Sequence, residues 1–309
     1  MSEHLYFIVP ELFLVIFNLI FLSVMLFAKS NMILSNGNKI AALALIITAL
    51  LVYSAPVDTD PVINGFYSSN DFTAFFKMLV LFLSSVILYL SDAYLRKNDL
   101  LKYEFPLLIN FSVFGMMIVI SSNDLMALYL GIEIQSLSLY IIAAYRRDNL
   151  KSTEAGLKYF ILGALSSGLL LYGVSLVYGA TGSTHFHTIY TAIMYTERML
   201  GLQIGMVFLL SAIAFKFAAF PFHMWTPDVY DGSPTPVTAF MAIVPKLAIG
   251  AILAKVLFDI FGGISDKWQL VLVFLSGGSM IIGAFGAIAQ RNIKRLIGYS
   301  SIGHVGFAL

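Results

Sequence analysis

Residues 206–225 read MVFLLSAIAFKFAAFPFHMW and residues 237–253 read VTAFMAIVPKLAIGAIL, each an apolar run with one lysine in it, Lys216 and Lys246. A membrane-crossing helix needs about 20 mostly apolar residues. Proline removes one helical hydrogen bond and clashes with the preceding turn, so Pro221 predicts a broken span. Working outward, runs of the same kind fall at 5–28, 38–55, 72–91, 105–122, 124–145, 155–179, 202–219, 237–258, 268–290 and 296–309. The expected fold is an all-α polytopic transmembrane helix bundle of about ten spans with a broken helix near Pro221.

Composition agrees. The 309 residues are 59% hydrophobic and 11% charged, against roughly 25% charged in a soluble domain. With a mean hydropathy of +0.88, a water-soluble enzyme and a disordered scaffold are excluded. A net charge of +1 provides no basic face for nucleic acid. Zero cysteines exclude disulfides and thiolate iron–sulfur ligation, so no redox centre is expected on this chain.

Loop charges orient the spans. With the N-terminus outside, the inside loops hold Lys29, Lys39, Arg96, Lys97, Lys102, Arg146, Arg147, Lys151, Arg291, Lys294 and Arg295. The outside loops hold only Arg198 and Lys267. This asymmetry is what the positive-inside rule requires. Lys77, Lys158, Lys216, Lys246 and Lys255 lie within apolar runs, and there the chemistry is expected.

Glu133 lies near the middle of its span, with Gln135, Ser136 and Ser138 giving that helix a polar side. An intramembrane carboxylate costs several kcal/mol unless paired, protonated or facing water, and such groups mark ion pathways. Lys216 precedes the predicted break, a place where transporters build ion sites. His223 follows two residues after Pro221 and titrates near physiological pH as a free side chain. Lys246 follows Pro245, with apolar residues on both sides. At an effective dielectric of about 20, withdrawing an acid from ~4 to ~8 Å changes its hold on a lysine proton by roughly 2 kcal/mol, enough to gate a proton step.

The stretch 226–236, with three prolines and a glycine, reads as non-helical turn structure carrying Asp228 and Asp231 toward the inside. Lys158, Lys77 and Lys255 lie near span ends, where snorkelling to the interface is the ordinary expectation. Glu11, beside Pro10, reads as a partner-helix contact or a shallow residue. Ala164–Gly168 and Ser279–Gly283 place small residues four apart, a pattern for close helix packing. His185 and His187 are too few for a metal site, and none is expected.

Four stretches carry a resemblance: GIEIQSLSLYIIAAYRR (131–147), STEAGLKYFILGALSSGLLLYG (152–173), FKFAAFPFHMWTPDVYDGSPTPVTAFMAIVPKLA (215–248) and QRNIKRLIGYSSIGHVGFAL (290–309). They resemble the antiporter-like, proton-pumping membrane subunits of respiratory complex I, an NADH-quinone oxidoreductase, and among these the subunit N family. The resemblance implies about fourteen transmembrane helices with inverted five-helix repeats. It further implies helices 1–3 over residues 1–104, a first repeat over 105–258, and the start of a second over 259–309. By motif match, Glu133, Lys158, Lys216, Lys246 and His223 become the proton relay. The run ending at Leu309 is expected to belong to a longer protein.

The implied function is a translocase subunit, coupling NADH oxidation and quinone reduction on other subunits to proton movement through a buried Glu/Lys/His relay. NADH, FMN, iron–sulfur clusters and quinone would be held by partner subunits, and no cofactor by this chain. The expected partners are other membrane-arm subunits and the lipid bilayer, in a hetero-oligomer without nucleic acid. The expected location is a bacterial inner membrane or the mitochondrial inner membrane. The alternatives are a subunit of a multisubunit sodium/proton antiporter or an inactive fragment of a split gene.

Overall fold

The computed structural model describes residues 6–27, 31–58, 61–195 and 199–309; Lys29 and Arg198 of the loop-charge count lie outside these. The described helices are α1 (Val9–Phe27), α2 (Asn31–Ser54), α3 (Asp71–Lys97), α4 (Glu104–Ser121), α5 (Leu125–Ala143) and α6 (Leu150–Thr181). They continue with α7 (Phe186–Ile193), α8 (Met199–Phe217), α9 (Trp225–Gly232), α10 (Thr235–Lys255), α11 (Ser265–Ile288) and α12 (Ile293–Ala308). Among the described residues nine helices are long and apolar enough to cross a membrane. The tenth span of the sequence reading corresponds to α12, a helix of 16 residues.

Short polar residues start these helices where the sequence leaves hydrocarbon. Asn70 and Thr73 form a reciprocal cap at α3, and Asp124, Asn149 and Asn292 accept backbone N–H groups at the starts of α5, α6 and α12. Each satisfies donors that a first helical turn leaves free. Gly182 ends α6 at φ +76°, a left-handed conformation that glycine adopts without a Cβ penalty.

In space α6 lies along α8, α4 along α5, α2 along α3 and α11 along α12, while α10 packs against α3, α4 and α8. One core joins α3, α4, α5, α9 and α10 around Phe105, Met116, Trp225, Tyr230 and Phe240. A second joins α5 to α8 and α10 around Leu128, Phe186, Leu209, Ile249 and Phe261. Apolar side chains such as Leu130, Leu137 and Ile141 on α5 point outward, as a lipid-facing surface requires.

The break is where Pro221 predicts it. Helix α8 ends at Phe217, and Ala218 adopts φ +66°. The freed backbone is satisfied internally. Phe215 O accepts from Ala218 N at 3.0 Å and from Trp225 Nε1 at 3.0 Å. Phe220 N donates to Ser279 Oγ of α11 at 2.8 Å. Irregular backbone at membrane depth is tolerated only under such internal pairing.

Two expectations are corrected. Residues 226–236 are not turn throughout: Trp225–Gly232 is the helix α9, and only Ser233 and Pro234 separate it from α10. Pro227 sits in the first turn of α9, where its missing N–H costs nothing. Nor do Lys77 and Lys255 snorkel; both are buried. Lys77 Nζ lies 2.5 Å from Glu11 Oε1 and 2.6 Å from the Tyr67 hydroxyl. That hydroxyl donates to the same carboxylate at 2.9 Å. Burial, with the Glu11 carboxylate beside it, pushes the Tyr67 phenol above its ordinary range, so it stays a donor. Lys255 donates to Ser122 O at 2.6 Å and Ile120 O at 3.4 Å, capping the carbonyl end of α4 where a cation is favoured. Of the small-residue pairs, Gly283 backs closely onto Gly303 of α12, whereas Gly168 faces open space.

Removing one member of the Glu11–Lys77 pair strands the other charge. Glu11→Ala is expected to destabilise the detergent-solubilised protein by about 3 kcal/mol, and Glu11→Leu combined with Lys77→Met to recover most of that loss. Thermal unfolding of the three forms checks it. A double variant as unstable as the single one would contradict this origin.

Candidate functional site

Lys216 occupies the last turn of α8, one residue before the helix ends, and is buried. Its Nζ donates to Ser136 Oγ at 2.7 Å and to the Tyr140 hydroxyl at 3.0 Å, and it lies 5.4 Å from the Tyr140 ring centre. Both acceptors belong to α5. Positions i, i+3 and i+7 of a helix share one face, so Glu133, Ser136 and Tyr140 form a single polar stripe directed at the break. Gly163 of α6 backs onto Tyr140, and the ring packs edge-on against Tyr159 at 4.8 Å. The hydroxyl is thereby fixed toward Lys216.

Glu133 is not paired with Lys216. Its Oε1 accepts a short hydrogen bond from Ser167 of α6, and the side chain is half-buried. Carboxylate and amine thus sit on one stripe, held apart by separate hydroxyl partners.

Lys246 lies inside α10 after Pro245 and donates a short hydrogen bond to Ser301 of α12. It borders a cavity of about 800 Å³ with mostly apolar walls, whose other polar members include Ser300, Ser301 and His304. Lys216 and Lys246 share no direct hydrogen bond: the first faces α5, the second α12.

His223 lies in the segment between α8 and α9, its ring stacked on Phe220 at 5.9 Å. Its Nδ1 is buried without a hydrogen-bond partner.

Lys158 does not join the others. It sits two turns into α6, 2.7 Å from Glu154 and 2.9 Å from Asp228, and Arg295 lies 2.5 Å from the same Asp228. Its side chain is 42% exposed, so these pairs are partly water-screened. They nonetheless tie α6, the short helix α9 and the start of α12 together beside a cavity of about 150 Å³.

Sequence reasoning does not pick out Tyr140, Ser167 or Ser301, and it reads Arg295 only as a loop charge. Tyr140 was accessible through its seven-residue spacing from Glu133; Ser167, Ser301 and Arg295 come from other helices and carry no such signal. His185 faces Asp124, Nδ1 to Oδ2 3.5 Å, and packs on Phe66. Among the described residues no group of three or more His, Asp or Glu side chains is placed to hold a metal ion.

The transmembrane family described as NADH:quinone oxidoreductase/Mrp antiporter matches residues 122–309. An NADH-quinone oxidoreductase subunit N of Jannaschia sp. is 54% identical over 246 residues, covering 80% of this chain and 51% of that relative. The subunit N of Pelagibacter ubique is 48% identical over 310 residues, covering 99% of this chain and 64% of the relative. A chain of respiratory complex I from Thermus thermophilus, solved with bound aureothin, has a TM-score of 0.80 at 30% identity, over 96% of this chain and 62% of that one. The chain spans 51% and 64% of the length of the two subunit N relatives.

The hydroxyl pair at Lys216 sets a stability test. Tyr140→Phe should cost about 2 kcal/mol, one hydrogen bond to a charged group with the other retained. Adding Ser136→Ala should cost more than the sum of the single changes, because the ammonium is left buried without an acceptor. A thermal-unfolding double-mutant cycle measures this. Strict additivity would mean that the two hydroxyls do not share the amine.

Proposed function

Because the chain belongs to the NADH:quinone oxidoreductase/Mrp antiporter family of membrane proteins, we propose that it acts as the subunit N type of antiporter-like component in a proton-translocating NADH:quinone oxidoreductase. Its sequence has no cysteine for iron–sulfur ligation. On this reading NADH, FMN, the clusters and quinone belong to partner subunits of a hetero-oligomeric membrane arm, and this chain's share is proton movement. The loop charges support an N-terminus outside, in a bacterial or mitochondrial inner membrane. Residues 105–258 form the first five-helix repeat, between the 1–104 helices and the beginning of a second repeat at 259–309.

One observation carries the reading: a buried lysine at a helix break faces the polar stripe of α5 that also bears Glu133. With Glu133 held by Ser167, Lys216 has only neutral acceptors. A small rotation of α5 against α8 exchanges these partners and brings carboxylate to amine. At an effective dielectric of about 20, approach from ~8 to ~4 Å tightens the hold on the proton by roughly 2 kcal/mol, and withdrawal releases it. His223, with an unpartnered buried Nδ1 in the break, is the next carrier, and Lys246 receives the proton beside the large cavity. Waters complete the gaps between these groups. Lys158, ion-paired at the inner edge, serves the entrance, keeping α9 in place and exchanging protons with the inside phase.

A second reading is a sodium/proton antiporter subunit, favoured by the family's description, which spans both kinds of protein. The residue logic is the same, and the driving reaction differs. Glu133→Gln or Lys216→Ala in the assembled complex is expected to lower proton pumping together with coupled NADH:quinone activity, by at least about tenfold if ~1.4 kcal/mol or more of transition-state stabilisation is lost. Wild-type rates of proton pumping and of coupled NADH:quinone activity in both variants would contradict the relay. Sodium extrusion persisting without NADH or quinone would favour the antiporter.

A further inference from the structure

The inner face carries a second polar pocket that the relay does not use. It has a volume of about 120 Å³ and is lined by Arg146, Lys151, Lys294, Asp231, Ser233 and Pro234 among others. At ~30 Å³ per molecule this is room for about four waters. Three cations face one carboxylate there, a local balance of +2. The nearby acid Asp228 is already taken up by Lys158 and Arg295, and Asp231 accepts from Asn292 at 2.7 Å.

Three further features mark the pocket for an anion. Helix α10, 21 residues long, begins at its edge with no side-chain cap, so the positive end of its dipole and the Thr235 and Val237 N–H groups have no capping partner. Ser233 is only 1% exposed, and its hydroxyl lacks any hydrogen-bond partner. The cations also retain donors: Lys294 spends one proton on Ser233 O at 2.7 Å, and Arg146 one N–H on Asn98 at 3.2 Å, leaving two and four respectively.

We propose that this pocket binds a phosphate group at the inner membrane surface. Arg146, Lys151 and Lys294 supply charge and donors, the start of α10 supplies directed N–H groups, and the sealed Ser233 hydroxyl joins them only by rotating toward the pocket. The exposed apolar residues Leu150, Leu157 and Ile161 of α6 form a stripe that starts beside Lys151. A phospholipid headgroup and inorganic phosphate share the required chemistry, and only the first brings acyl chains to lie along that stripe.

The test titrates the detergent-purified full chain with phosphatidylglycerol, with neutral diacylglycerol of the same acyl chains, and with inorganic phosphate, following the thermal midpoint. Phosphatidylglycerol should raise the midpoint saturably and diacylglycerol should not. A shift with inorganic phosphate as well would assign the site to the phosphate group alone and still support it. Arg146→Gln with Lys151→Gln should weaken the apparent affinity at least fivefold. Asp231→Asn, which removes the opposing carboxylate, should tighten it by a similar factor. No shift with either phosphate compound, or equal shifts in wild type and both variants, would overturn the proposal.

Discussion

A transmembrane helix cannot stop inside hydrocarbon unless its freed backbone groups find partners within the protein. The rest of this structure follows from that constraint at residues 217–225. Trp225 and Ala218 share the Phe215 carbonyl, and Ser279 takes the Phe220 N–H. The indole also stacks on Tyr159 at 4.5 Å, which packs edge-on against Tyr140. The groups that repair the break are therefore the same ones that aim an acceptor at Lys216.

The ionisable groups separate into three layers around that break. At the centre, Lys216 is held by two hydroxyls and Glu133 by another. Toward one end of the bundle, Glu11, Tyr67 and Lys77 close on one another, and Lys255 closes on helix-end carbonyls; with short direct bonds and full burial these are fixed charges that hold helices. Toward the other end, Lys158, Asp228 and Arg295 form half-exposed pairs that water can enter. Buried charge is thus fixed where a counter-ion or helix-end carbonyls hold it, whereas Lys216 and Glu133 are held by side-chain hydroxyls alone.

Hydrophobic periodicity and loop charge made the spans legible, because hydrocarbon imposes about 20 apolar residues per crossing whatever the tertiary contacts. Pro221 marked the break for an equally local reason. The helix α9 was missed because three prolines and a glycine within 226–236 suggested a loop, while Pro227 in fact occupies a tolerated first-turn position. Depth along a span misjudged Lys77 and Lys255, since snorkelling depends on whether a partner lies alongside, and Glu11 and the α4 carbonyls are distant in sequence. For the site, Glu133 and Lys216 stood out as charges in apolar runs. Ser167 and Ser301, which hold the acid and the second lysine, are ordinary serines until the helices are packed.

The central claim is that Glu133 exchanges a hydroxyl partner for Lys216 during turnover. Infrared difference spectroscopy between the resting and NADH-driven states of the assembled complex reads carboxyl protonation and hydrogen bonding directly. A carboxyl band change that vanishes in Glu133→Gln and shifts in Ser167→Ala is the predicted result. A difference spectrum in the carboxyl region that Glu133→Gln leaves intact would contradict it.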